Sequence, residues 1–367
     1  MKKYFYILFI FFIAACSSSD QQEKLPVDNY DRGQLLTSIC DEMIIPAYDE
    51  MYTNMDTLKS SVITFTNSPN QSTLNKLRNA WVDAYFSWQN VALFNTDFPA
   101  ELNLSERINT YPTSEQTINA FMNDTVLDLT APNYFNYQST GFPAMGYLIY
   151  GLGGDSNSVL LNYTDINTSF VCKSYLNVVV ENMFSNIESV KNYWQQNRGM
   201  FISASGNSNT SSLNIIINGY LEYYEKRFRN GKIEIPSGAR GESPPSSISV
   251  ESYYRPDLCK DLCVEAYNAI QRFYKGISFD GESVIGIENY LQYFDDTESL
   301  RQAINDQFVL IEQSINELDN NFIYQIENDN IKMEQAFLAI QDMVRYLKTD
   351  VLSKLNISRL YFDGDND

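Results

Sequence analysis

Apolar residues recur at spacings of three and four along most of this chain, and strand-like alternation is scarce, so the pattern predicts one helix after another. Leu35, Leu36, Ile39, Met43, Ile44 and Tyr48 mark one face of a first helix, residues 31 to about 54, which Pro46 should bend or split. A second helix, about 55 to 65, ends at Asn67-Ser68-Pro69. The next, about 71 to 94, carries Leu74, Leu77, Trp81, Ala84, Tyr85 and Trp88 at helical spacing. An irregular region follows, holding Phe98-Pro99 and a short helix after Thr113. A long helix, about 168 to 196, presents Val171, Tyr175, Val178, Val179, Met183, Ile187, Val190 and Trp194 on its buried side.

Residues 199 to 212 are poor in apolar side chains and rich in Ser, Asn and Gly, which marks a domain boundary near residue 205. Beyond it a helix of about 213 to 230 is stopped by Gly231. The loop 232 to 249 contains Ile235-Pro236-Ser237-Gly238 and Pro244-Pro245 and is long enough to be functional. Four more helices are expected, about 256 to 275, 284 to 293, 297 to 320 and 329 to 355, with Thr297 and Asp329 as caps. The prediction is an all-α fold of two four-helix-bundle-like domains, residues 28–205 and 206–367, with no short-period repeat.

The chain is arranged around Gly141-Phe142-Pro143-Ala144-Met145-Gly146-Tyr147-Leu148-Ile149-Tyr150-Gly151, which reads as a turn, a proline at the first helical position, a short apolar helix and a glycine stop. A short helix flanked by glycines fills a junction where other elements converge. It is either a packing element, with Gly where backbones approach closely, or part of a ligand site.

The amino terminus changes the picture. Lys2 and Lys3 precede an apolar run from Tyr4 to Ile13, then Ala14-Ala15-Cys16, the layout of a secretory signal. The run is too short to span a bilayer. Ile-Ala-Ala-Cys reads as a lipobox, with 1–15 the signal peptide, Cys16 the acylated residue and 16–27 a polar tether. The formal charge of −20 becomes −22 without the two signal lysines (−20 − 2), which excludes nucleic acid as a partner. The 26 Tyr and 22 Phe place this acidity on a folded core. Cys40, Cys172, Cys259 and Cys263 read as core residues, a Cys40–Cys172 bridge being open.

The chain contains no histidine. That excludes Ser-His-Asp and Cys-His catalysis, the H-E-x-x-H zinc site and His-ligated haem. No phosphate-binding glycine motif lies between a strand and a helix. Calcium, or ferric iron held by Tyr and carboxylate, stays open through oxygen ligands, with no cofactor expected. Asp363, Asp365 and Asp367 have calcium-loop spacing but lack the later Glu, so they read as a solvated terminus. The cations Lys226, Arg227, Arg229, Lys232 and Arg240 crowd one helix end beside Glu222 and Glu225. There they complement the helix dipole or form an anion-contacting patch. Arg107 and Arg359 are lone arginines in acidic company.

Trp81-Val82-Asp83-Ala84-Tyr85-Phe86-Ser87-Trp88-Gln89, Arg107-Ile108-Asn109-Thr110-Tyr111-Pro112 and Gly141-Phe142-Pro143-Ala144-Met145-Gly146-Tyr147-Leu148 resemble the imelysin family. So do Tyr220-Leu221-Glu222-Tyr223-Tyr224-Glu225-Lys226-Arg227-Phe228, Ile235-Pro236-Ser237-Gly238 and Leu347-Lys348-Thr349-Asp350. The resemblance runs from about Leu35 to the end. It implies two helical bundles with a cleft between them, on exported proteins linked to iron acquisition. The family's peptidase label rests on a Gly-x-His-x-x-Glu motif viewed as a metal site. Here Gly141 keeps the glycine, but Pro143 stands for the histidine and Gly146 for the glutamate, so neither peptidase activity nor that metal site carries over. What the resemblance leaves is a cleft lined by Trp88, Arg107, Tyr111, Gly141, Pro143, Gly146, Tyr147, Glu222, Arg227, Arg229 and Arg240.

The expected protein is a non-enzymatic outer-membrane lipoprotein facing the periplasm or the cell surface. It binds an iron- or haem-related ligand or an outer-membrane uptake partner. An interaction module docking to a surface receptor is the alternative. A divergent hydrolase, the third reading, needs two buried carboxylates facing each other in the cleft.

Overall fold

The structure, a computed structural model, describes residues 28–95, 103–122, 129, 131, 133–294 and 296–360. Cys16, Phe98-Pro99 and the terminal aspartates lie outside these residues. The described chain is all helical, and an isolated bridge between Ile277 and Ser283 is its one β pairing. From Asp31 onward the helices pack as one compact unit. No helix among the described residues is long and apolar enough to cross a membrane.

The Gln71–Val91 helix shows how sequence becomes packing. Asn70 opens it with a capping box: its Oδ1 accepts from Ser72 N at 2.9 Å and Thr73 N at 3.1 Å, while Thr73 Oγ1 accepts from Asn70 N at 3.1 Å. Such a cap is worth about 1 kcal/mol. Leu74, Leu77, Trp81, Ala84, Tyr85 and Trp88 are all buried, as their spacing predicts. The helix packs against Ile45–Asn67 on one side and Cys259–Lys275 on another, joining early and late parts of the chain. Ser169–Ser203, the longest helix described, completes the first group by packing on Ile45–Asn67. In the later half, Asn330–Arg345 packs on Glu298–Asn316 and on the segment Tyr223–Glu234.

Four described segments are π-helical: Ile39–Ile44, Tyr147–Gly151, Tyr223–Glu234 and Tyr346–Val351. They account for most departures from the expected boundaries. Pro46 neither splits nor ends a helix. It stands in the first turn of Ile45–Asn67, where its missing N–H is tolerated, directly after a π segment. The two helices expected over 31–65 are therefore one continuous run.

Gly231 does not stop a helix either. Ser212–Glu222 continues through the π segment Tyr223–Glu234 into Ile235–Ser237, and the stop is Gly238, in the left-handed region at φ +65°. A Cβ at Gly231 would lie 2.9 Å from the Tyr111 hydroxyl, so the glycine serves a close approach within the helix.

Thr297 and Asp329 occupy helix starts without capping through their side chains. The Thr297 hydroxyl instead donates to Leu291 O at 2.5 Å and Phe294 O at 2.9 Å. Two short helices, Ser156–Thr164 behind an Asp155 cap and Phe322–Asn328 behind Asn321, were not expected. Cys40, Cys172, Cys259 and Cys263 are buried free thiols, so no Cys40–Cys172 bridge forms.

Candidate functional site

The Gly141–Gly146 helix begins with Gly141 at φ +79°, where a Cβ would lie 2.2 Å from Ile108 O. That contact fixes the turn carrying Arg107 to Tyr111 against the motif. Trp81 Nε1 donates to Phe142 O at 3.1 Å, and the Tyr85 ring stacks on Phe142 at 4.4 Å. The Gln71–Val91 helix thus holds the motif in place from one side. Tyr254 covers it from another: a Cβ on Gly151 would meet Tyr254 Cδ1 at 2.4 Å, and one on Gly146 would stand 3.7 Å from Tyr254 Cδ2. The Tyr254 hydroxyl donates to Glu115 Oε1 at 2.8 Å. Space that a longer side chain at position 146 would need is filled by the rings of Trp81 and Tyr254.

Next to this motif lie a crevice and a cavity that share the wall Tyr111–Glu251. The crevice, about 10 Å³, includes Trp81, Pro143, Gly146, Ile248 and Tyr254 in its lining. The cavity, about 140 Å³, lies between the Gln71–Val91 helix and the π segment Tyr223–Glu234. The first contributes Trp88 and Gln89, and the second Tyr223, Lys226, Arg227, Gly231 and Lys232. Ser105, Asn109, Thr110, Tyr111, Ile235 and Glu251 close it.

A buried polar network forms the cavity floor. The Lys232 ammonium pairs with Glu251 Oε2 and donates to Gln89 Oε1 at 2.9 Å, both charged side chains being under 5% exposed. Glu251 Oε1 accepts from Gln89 Nε2 at 3.0 Å and from Asn109 Nδ2 at 2.7 Å. The Tyr85 hydroxyl sits 2.7 Å from Asn109 Oδ1 and 3.0 Å from the Glu251 carbonyl oxygen. Every oxygen of the Glu251 carboxylate is therefore occupied. Arg227, at the rim, pairs with Glu106.

The Tyr111 and Tyr223 hydroxyls line the cavity without a hydrogen bond to any described residue. Burial, and then the Glu251 charge, push both phenols well above their ordinary range, and Arg227 opposes this only partly. Both are protonated at neutral pH and present O–H donors.

Of the residues expected to line a cleft, Trp88, Tyr111 and Arg227 meet in the cavity, and Tyr111, Pro143 and Gly146 in the crevice. The others lie elsewhere. Arg107 is buried beneath the Tyr137 ring, 6.0 Å from its centroid. Tyr147 donates to Asn119 Oδ1 at 3.2 Å. Glu222 is on the surface, paired with Lys226 at 2.7 Å. Arg240 lies 3.6 Å from Glu234. Arg229 points to the opposite side of its helix, where Nη1 donates to Gln341 Oε1 at 2.5 Å and Nη2 lies 3.9 Å from Glu225.

Sequence reasoning passed over Glu251. The signal was faint: a single carboxylate two residues beyond the 232–249 loop, which is itself long enough to be functional. The two fully buried carboxylates among the described residues do not face each other. Glu251 pairs with Lys232, whereas Glu225 pairs with Lys348 at 3.2 Å, away from the cavity.

A bare metal ion does not fit this donor set. Among the described residues no three His, Cys, Asp or Glu side chains gather to hold one. The cavity itself offers one fully engaged carboxylate, two protonated phenols and three cations.

The described residues form an all-helical scaffold with a cavity lined by Lys226, Arg227 and Lys232. The chain belongs to the imelysin family, whose model, labelled as a peptidase family, matches residues 44–349. A solved structure from Parabacteroides distasonis, described as a putative iron-regulated protein A precursor, has a similar fold, with TM-score 0.66 and 16% identity over 88% of this chain and 95% of that one. An imelysin-like protein from Psychrobacter arcticum gives TM-score 0.67 and 15% identity over 90% and 97%. None of the curated proteins compared with this chain matches it.

Proposed function

We propose that this chain is a non-enzymatic binding protein, exported and held to the outer membrane through an acylated Cys16, whose cavity takes an anionic ligand. The observation that carries this reading is the placing of Lys226, Arg227 and Lys232, with the Tyr111 and Tyr223 hydroxyls, around one cavity in a chain of charge −20. Each cation already has a carboxylate partner (Glu222, Glu106 and Glu251), so an anion binds here by sharing Arg227 and Lys226 with those partners and by accepting from the two phenol hydroxyls. The similar fold of an iron-regulated protein supports a link to iron, in which the cargo is an anionic ferric complex or its chelator. The test is calorimetry on the mature protein with benzoate, phosphate, citrate, ferric citrate, ferric chloride and calcium. At least one anion binds, and Arg227→Gln weakens it about tenfold or more. If no anion binds, or the variant binds unchanged, the reading fails. Retention of Cys16→Ser in the membrane fraction would overturn the anchor.

A second reading, docking to a protein partner, is favoured by the turn between Ser156–Thr164 and Ser169–Ser203. There Leu161, Ile166 and Phe170 are 63%, 91% and 78% exposed. Crosslinking at Ile166 in intact cells that traps no protein would remove it.

A further inference from the structure

The side chains around the cavity divide into those already satisfied and those left for a ligand, and the division is uneven. Gln89, Asn109, Lys232 and Glu251 saturate one another. The Ser105 hydroxyl accepts from Asn95 at 2.8 Å, the Thr110 hydroxyl donates to Glu106 O at 2.8 Å, and Ser249 shares a bond with Ser246 at 3.0 Å. What remains unengaged is the Tyr111 and Tyr223 hydroxyls, both donors; at the rim Arg227 is bonded to Glu106 through Nη2 and Lys226 to Glu222, cations that a bound carboxylate would share with those partners. A polyol, which must donate as well as accept, is poorly served, whereas a carboxylate only accepts.

Beside this donor set and the saturated polar floor, the lining also offers apolar surface. The Trp88, Tyr111 and Tyr223 rings and Ala92 line the cavity. Ile235, at its mouth, is 53% exposed, and Ile248, at the mouth of the adjoining crevice, is 52% exposed. The two isoleucines stand on neighbouring turns tied by the bond from Ser246 N to Pro236 O at 2.8 Å. A small inorganic anion would leave both in water. Drug-sized ligands occupy pockets of about 300–1,000 Å³, whereas an apolar cavity of about 150 Å³ holds a single benzene ring.

We infer that the ligand is a carboxylate carried on an apolar body, with an aromatic ring or similar group inside the cavity and the rest resting on Ile235 and Ile248. This rests on the anion-binding reading above and specifies its ligand class. The carboxylate meets Arg227 and the two phenol hydroxyls, and the ring lies against Trp88. Selectivity over simple anions comes from apolar surface that only an amphipathic ligand covers.

The experiment compares benzoate, acetate, phosphate and benzyl alcohol by calorimetry on the mature protein and on two variants. Benzoate binds about tenfold or more tighter than acetate or phosphate, and benzyl alcohol, lacking the charge, binds weakly. The double variant Ile235→Ser/Ile248→Ser weakens benzoate about tenfold and leaves acetate unchanged, which also shows that the cavity is intact. Arg227→Gln weakens both carboxylates. Equal affinity for acetate and benzoate, or an Ile235/Ile248 variant that binds benzoate as the parent does, overturns the amphipathic ligand and leaves the anion site standing. Failure of every anion to bind overturns both.

Discussion

Replacing Gly141 by Ala separates two demands that one glycine can meet. The first is conformational: at φ +79° an alanine pays roughly 1–2 kcal/mol for the left-handed region. The second is contact: the added Cβ would sit 2.2 Å from Ile108 O, 2.6 Å from Ile108 C and 3.0 Å from Arg107 O. These are backbone atoms of a neighbouring helix turn, so relief requires moving that turn. Overpacking of this kind adds about 1–3 kcal/mol or more.

Gly154 is the internal control, with φ +89° and nothing within 4 Å of its Cβ position. Gly154→Ala should therefore cost the conformational part alone, about 1–2 kcal/mol, and Gly141→Ala a total of about 2–5 kcal/mol. Thermal unfolding by circular dichroism reads the difference. At roughly 2 °C per kcal/mol for a chain of this size, the two variants should be separated by about 2–6 °C. Equal melting temperatures would show that the contact with Ile108 does not set the turn, and the account of how the motif is held would be wrong.

Other expectations follow from buried groups. Lys232→Met strands the Glu251 carboxylate and should destabilise the fold by about 3–5 kcal/mol, while Lys232→Met/Glu251→Leu should recover much of the loss in a denaturation double-mutant cycle. Burial pushes the Cys172 thiol up to about 11 and the Cys259 and Cys263 thiols up to about 12, so a thiol-reactive dye at pH 8 should label none of them until the protein unfolds. Labelling of the native protein at unfolded-state rates would contradict that burial. Tyr85, Tyr111 and Tyr223 keep their protons in the folded state above the ordinary phenol value near 10, where the unfolded chain releases them. The unfolded state then binds fewer protons, so stability is full below about pH 10 and falls as pH rises past it. A flat denaturation midpoint from pH 9 to 11.5 would refute this.

Most helices were legible because their buried faces obey a single period. Leu74 to Trp88 read correctly from spacing alone, and the Gly141 motif was singled out by its flanking glycines. What was illegible has one main cause. A π segment adds residues to each turn, so the apolar face drifts from the 3.6 period where it begins, and a glycine within it resembles a stop. Gly231 was misread on that account, and so was the direction of Arg229, which sits two positions from Arg227 yet points into the core. Glu251 was hidden for another reason: its partners Lys232, Gln89 and Asn109 come from three separate segments that only the fold brings together.

The Ser169–Ser203 helix is also a ruler. Near its end Arg198 is clamped to Asp41, close to where the compact unit begins, and near its start Phe170 stands exposed beside Ile166. At about 1.5 Å per residue these points are roughly 40 Å apart. Whatever reaches the apolar turn does so a helix length away from the clamp, and a dye placed there would report on events at that distance.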